Sequence, residues 1–177
     1  YGEDFALLAG DALLTEAFML IAEGYTDNSF LVAQLGRLLS SAAGIRGMVG
    51  GQAIDLRAGD KQMSLEELTH LHRLKTGALI RVAVEGAAVI AGAKPTDIES
   101  LKKFGEGLGL AFQVADDVLD HGEKGQDLRS FTGILGLEGT KTYLKDLSAS
   151  TLAELRKVSA DAPMLEFLIS FNQNRQV

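Results

Sequence analysis

No proline interrupts the chain before Pro95, and only Pro163 follows it. Proline is the residue that removes a backbone donor and blocks helix propagation, so segments this long are open to helix wherever apolar residues recur at the right interval. They do recur. From Phe5 the positions Leu8, Ala9, Ala12, Leu13 and Ala17 return at three- and four-residue steps, which lines them along one side of a helix with 3.6 residues per turn. The interval persists almost to the end of the chain, and no convincing run alternates with the two-residue period of a half-buried strand. The chain is therefore expected to be all-α. Its 177 residues suffice for one good core, so a single helical domain over 1–177 is the simple expectation.

The stretch FALLAGDALLTEAFMLIAEG (5–24) is apolar nearly all round. Glu3, Asp11 and Glu16 are too few to solvate two faces, which places this helix in a core or against a partner chain. Asp27 and Asn28 mark a turn, after which a second long helix is expected from Ser29 to about Ala58. Within it Gly44, Gly47, Gly50 and Gly51 fall at three- and four-residue steps. Each interior glycine costs about 0.5–1 kcal/mol relative to alanine, so such a stripe implies that a packed helix or a ligand chain comes close. Ser64 with Glu67 forms a capping box opening a helix to about Ala91, closed by Gly92 and Pro95. Thr96 with Glu99 reads as a second box, for a helix ending near His121. GEKGQDLRSFTG (122–133) reads as loop, with helices expected at about 134–147, 149–158 and 163–174.

A net charge of −7 argues against nucleic acid as a general partner, because phosphate backbones are held by clustered Lys and Arg. The absence of cysteine excludes a disulfide framework and a thiolate zinc site and fits a cytoplasmic protein. The longest apolar region, GALIRVAVEGAAVIAGA (77–93), is interrupted by Arg81 and Glu85 and falls short of a membrane span. Gly2, Glu3 and Asp4 stand where the basic segment of a signal peptide would sit.

The chemistry concentrates in QVADDVLDHG (113–122), where Asp116, Asp117 and Asp120 crowd the last turn of a helix. Each carboxylate there opposes the negative end of the helix dipole by roughly 0.3–1 kcal/mol. Gln113 shares their face, opposite Phe104, Leu108 and Ala115. Carboxylates one turn apart suit Mg²⁺, which takes an oxygen shell completed by phosphates and water; a solvated acidic helix end is the plainer alternative. Lys75 and Thr76 lie mid-helix among Leu74, Ala78, Leu79 and Ile80, so the ammonium either snorkels to water or meets an anion. A lysine and hydroxyl opposite metal-binding carboxylates would hold a diphosphate between them. Gln52 and Asp55, one turn apart, reach the same cleft or cap a packed helix, and His70 and His72 read as surface or supporting residues. No G-x-S-x-G and no P-loop is present.

GGQAIDL (50–56), HRLKTGALI (72–80) and LGLAFQVADDVLD (108–120), in this order and spacing, resemble the short-chain trans-prenyltransferases of the polyprenyl synthetase family, which includes farnesyl and geranyl diphosphate synthases. LAGDALLTEAF (8–18) and ILGLEGTK (134–141) resemble further helices of that family, so the likeness spans nearly the whole chain. It implies an isoprenoid synthase-type helical bundle around a central cavity, whose mouth carries two facing aspartate-rich motifs that bind Mg²⁺, with Mn²⁺ as an alternative, and an allylic diphosphate. By resemblance Asp116, Asp117 and Asp120 are the second motif and metal ligands, Lys75, Thr76 and Gln113 contact the diphosphate, and Phe112 is the usual neighbour of that glutamine. Lys75, Asp116 and Asp117 would carry catalysis.

The implied reaction condenses the allylic diphosphate with isopentenyl diphosphate, in a homodimer. The first acidic motif and the arginines after it would lie upstream of Tyr1, so the chain is expected to lack the first helices and to be inactive alone. Neither Lys124 nor Arg129 aligns with the lysine of the family's later loop. A non-catalytic or regulatory subunit of the same fold and a related terpene cyclase are the alternatives.

Overall fold

A computed structural model describes residues 1–59, 61–121, 129–158 and 161–175. The elements are α1 (Glu3–Gly24), α2 (Ser29–Ala43), α3 (Met48–Ala58), α4 (Leu65–His72), a π-helical segment (Arg73–Gly77), α5 (Ala78–Ile90), α6 (Pro95–Leu119), α7 (Phe131–Leu155) and α8 (Pro163–Asn174). No strand occurs among the described residues. The chain divides into two compact units, residues 1–41 and 42–177.

In the first unit, α1 begins with Glu3 and Asp4, which suit the positive end of its dipole, and it buries none of its residues. Phe5, Leu8, Leu13 and Leu20 are all exposed. By length and composition α1 is apolar enough to cross a membrane. A core helix or one covered by another protein surface passes the same test, so this alone does not make α1 a membrane span. The 77–93 region belongs instead to the second unit, where α5 buries Ala78, Val82, Gly86 and Ala88.

The single helix expected over 29–58 is two. The N–H of Gly47 bonds back to the carbonyl of Gly44 at 3.0 Å, turning the chain between α2 and α3, so the glycines form no continuous stripe. Gly51 is buried where a Cβ would lie 2.7 Å from Cα of Lys75, and the close approach there is a packed backbone rather than a ligand chain.

The Ser64 box is present, with Ser64 Oγ accepting from the N–H of Glu67 at 3.2 Å and Glu67 Oε2 accepting from the N–H of Ser64 at 2.8 Å. Thr96, by contrast, caps nothing, because α6 starts one residue earlier on Pro95, whose fixed φ already suits the first helical position. The break expected near residue 148 is absent: α7 runs through it to Leu155, kinked instead near its start, and is capped by Ser130 Oγ on the N–H of Gly133 at 2.9 Å. Its irregularity falls at Gly136, where φ is 71°.

The core of the second unit is built along α6. Leu110, Ala111, Val114 and Ala115 join Leu68 and Leu71 of α4 and Phe131 and Leu144 of α7, while Phe104 packs with Leu155 and Ile169. A Cβ on Gly109 would lie 2.6 Å from Cα of Gly77, so α6 reaches the π-helical segment only because Gly109 lacks a side chain. The extra residue in that turn re-aims Lys75 and Thr76, a distortion that recurs where helices carry function.

Candidate active site

Because Val114 and Ala115 are committed to the core, the polar residues of the last turns of α6 lie on its other, half-buried face. Asp116 Oδ2 accepts from Gln113 Nε2 at 3.0 Å. Its Oδ1 pairs with the guanidinium of Arg175, just beyond α8. Arg175 also donates to the carbonyl of Phe112 at 3.1 Å and lies 4.4 Å above that ring. Asp117 is engaged elsewhere: Oδ2 accepts the N–H of Phe131 at 2.6 Å, the first turn of α7, where a carboxylate meets the positive end of the helix. Asp120 stands at the end of α6, its N–H bonded to the Asp116 carbonyl at 2.8 Å.

The opposite wall comes from α3 and the π-helical segment. Lys75 does meet an anion, Nζ lying 2.6 Å from Asp55 Oδ2. Arg129 approaches the other oxygen of Asp55 at 3.7 Å and donates to the carbonyl of Gly59. Beside this pair, Lys75 and Thr76 line a recess of about 510 Å³ with Met48, Val49, Gln52, Ala53 and Leu56. Apart from Gln52, Lys75 and Thr76 its side chains are apolar.

His72 joins the two walls. Its ring stacks on Phe131 at 5.6 Å, within electrostatic reach of Lys75 and Asp55, and it contacts Gln113. Burial, reinforced by the Lys75 charge, pulls its pKa down to about 4 against the opposing influence of Asp55 and Gln113. The ring is thus neutral near pH 7, and its Nδ1 is buried without a partner. His72 is a supporting residue of the site, whereas His70 is exposed at its own position.

His72 thus links Lys75 and Asp55 to Gln113 and through it to Asp116; Thr76 lies beside Lys75 on the recess, Phe112 carries the Arg175 guanidinium, and Asp117 and Asp120 follow at the same helix end. Among the described residues no three His, Asp or Glu side chains converge as a ready metal cage. The donor set still suits Mg²⁺, which commonly takes one or two carboxylates and draws its other oxygens from phosphates and water. Asp116 is half-buried and its carboxylate is neutralised by a partner that can exchange. Lys124 lies outside the described residues. Arg175 was not legible beforehand: it stands 59 residues from Asp116, and nothing around it in the sequence marks it.

Residues 1–132 match the family model of polyprenyl synthetases. The farnesyl diphosphate synthase of Micrococcus luteus is 36% identical over 97% of this chain and 62% of its own length. Among solved structures, an FPP/GFPP synthase from Zymomonas mobilis superposes with a TM-score of 0.84 at 34% identity, covering 94% of this chain and 60% of that one. The geranyltransferase of Helicobacter pylori, complexed with magnesium and isoprenyl diphosphate, gives 0.79 at 33% identity, covering 98% and 61%. The chain thus spans about six-tenths of the length of these relatives.

Proposed function

The chain belongs to the polyprenyl synthetase family, and from that premise we propose that the protein carrying it is a prenyltransferase, extending an allylic diphosphate with isopentenyl diphosphate to a longer trans-prenyl diphosphate. The observation that carries this reading is the pairing of two walls across His72: Lys75 beside an apolar recess on one, Gln113 and Asp116 on the other. The charged end of an allylic diphosphate belongs between the walls and its hydrocarbon tail in the recess.

In the proposed reaction the bond between C1 and the diphosphate oxygen breaks, and the diphosphate leaves with the electron pair. The double bond of isopentenyl diphosphate then attacks the allylic cation, and the resulting cation gives up a proton to the departed diphosphate. Lys75 Nζ, exchanging Asp55 for the leaving group, stabilises the charge that develops there, with the Thr76 hydroxyl as a second donor. The apolar recess keeps water from the cation. Gln113 holds the Asp116 carboxylate in place, and His72, neutral and buried, spaces the walls without adding charge. Mg²⁺ or Mn²⁺ would supply further neutralisation of the diphosphate, held directly by Asp116, with Asp117 and Asp120 completing the acidic motif. Asp117 in addition anchors the start of α7.

The further proposals are a cytoplasmic homodimer, in which the exposed apolar residues of α1 meet a second copy, and inactivity of these 177 residues by themselves. A non-catalytic subunit of the same fold is the second reading, favoured by the lack of a convergent three-residue metal cage among the described residues. Incubating the full-length protein with Mg²⁺, an allylic diphosphate and isopentenyl diphosphate separates the two. Chain extension supports the enzyme, and a folded protein that yields no extended product overturns it.

A further inference from the structure

Both oxygens of Asp116 are already taken, one by Gln113 and the other by Arg175. A divalent cation that binds Asp116 must therefore contend with a guanidinium already in place. We infer that Arg175 is a latch: it holds Asp116 in the unliganded protein, weakens the binding of a divalent cation there, and is displaced when that cation arrives. The inference rests on Asp116 being the metal contact proposed above.

Three contacts fix the latch. The same Nη2 of Arg175 reaches Asp116 Oδ1 and the carbonyl of Phe112, and the guanidinium carbon lies 4.4 Å over the Phe112 ring. Planar stacking together with a forked donor is a combination that lysine does not reproduce. A fourth feature keeps the latch releasable. Nε of Arg175 is buried without a partner, so closure leaves one donor unsatisfied and is opposed by its desolvation. The acidic helix end needs a compensating cation because its own dipole and neighbours disfavour it. Arg175 meets that need in one state, and a metal ion meets it in the other.

Two cations that alternate on one carboxylate are linked. The apparent affinity for the metal falls by the fraction of molecules in which the latch is open, and bound metal loosens the latch by the same factor. A half-buried, charge-assisted pair supported by stacking predicts a suppression of about tenfold.

Mn²⁺ titration of the full-length protein, with the unbound ion followed by electron paramagnetic resonance and no substrate present, tests this. Arg175→Ala is expected to bind Mn²⁺ about tenfold more tightly than wild type, and Phe112→Leu, which keeps the charge but removes the stacking surface, about threefold more tightly. Arg175→Lys should fall between wild type and Arg175→Ala, and far-ultraviolet circular dichroism verifies that each variant is helical. If Asp116→Asn abolishes Mn²⁺ binding while Arg175→Ala binds no tighter than wild type, the latch is wrong and the metal assignment stands. If Arg175→Ala gains affinity and Phe112→Leu does not, the effect is one of charge at a distance and the latch is again wrong. If Asp116→Asn binds Mn²⁺ as wild type does, the metal assignment fails and takes the latch with it.

Discussion

The middle of α6 and its end are built on opposite terms. Phe104, Leu110 and Val114 are sealed into the core, and Gly105 and Gly109 admit neighbouring backbones so closely that a side chain at either would collide. A turn later Gln113, Asp116 and Asp117 are half-buried and held by polar contacts, Gln113 to Asp116 within the helix, Asp116 to Arg175 and Asp117 to the N–H of Phe131 from later in the chain. One stretch gains its free energy from contacts that have no alternative. The other gains little, because each contact replaces a bond to water or to another ion, and for that reason its partners can be exchanged for a ligand. Stability and chemistry thus occupy adjacent turns of the same helix.

The largest expected effect breaks the two regions apart. Asp116→Ala should lower turnover by at least about a hundredfold, since a charge that stabilises a departing group is worth several kcal/mol, while thermal stability changes by no more than about 1 kcal/mol. Phe104→Ala should do the reverse, costing about 3–5 kcal/mol by cavity formation and leaving turnover per folded molecule near normal. Denaturant melts and steady-state rates on the two variants provide the check, and a large stability loss in Asp116→Ala would make the acidic turn structural.

A second substitution shows where the regions couple. Gly109→Ala introduces a Cβ 2.6 Å from Cα of Gly77, and neither backbone can give way without moving the π-helical segment that carries Lys75. Overpacking of this kind costs about 1–3 kcal/mol, and here the displacement should reach the site, so stability and turnover are expected to fall together. An unchanged rate in a destabilised Gly109→Ala protein would show that Lys75 is positioned independently of α6.

Fold class was readable in the sequence because period and proline content are local properties, and the Ser64 cap and the 163–174 helix were placed for the same reason. The break at Gly44–Gly47 and the position of the kink in α7, at Gly136, were misjudged, since a glycine in a periodic run reads alike whether the chain turns there or packs there. At the site, Asp116, Gln113 and Lys75 announced themselves through polar or charged side chains in an apolar setting. Arg175 and the stacking of His72 on Phe131 did not, because both are meetings of elements far apart in the chain. Phe131 looked like a loop residue until α7 was seen to start on it.

His72 gives a smaller effect that follows from the fold alone. Its pKa lies at about 4 in the folded protein against about 6.5 for an exposed imidazole, so protonation favours the unfolded chain. Its contribution is fully present above about pH 6.5 and is lost as the pH falls from there toward 4, amounting to on the order of 2–3 kcal/mol across that window. His72→Phe should flatten the stability profile over the same interval. If wild type and variant lose stability in parallel between pH 6.5 and 4, the imidazole is not the group responsible.

Ser64→Ala is the mildest perturbation and isolates stability from chemistry most cleanly. Ser64 Oγ caps α4 by accepting from the N–H of Glu67, and the Glu67 carboxylate returns the bond to the N–H of Ser64. Removing the hydroxyl leaves one backbone donor of the first turn to water and should cost about 1 kcal/mol. The backbone and side-chain hydrogen bonds of Ser64 also hold the Glu67 pKa below its usual value of 4.5. A carboxylate with a depressed pKa adds stability that is present above the unfolded value and lost as the pH falls through the folded one. The cap therefore weakens only in acid, from the usual value of 4.5 downward, where the His72 contribution is already mostly lost, and Ser64→Ala should lessen that late loss without touching the earlier one. Since α4 leads directly into the π-helical segment, an unchanged turnover at pH 7 would show that Lys75 is placed by the glycine contacts with α3 and α6. A rate that falls with the cap would show instead that the start of α4 helps to aim it.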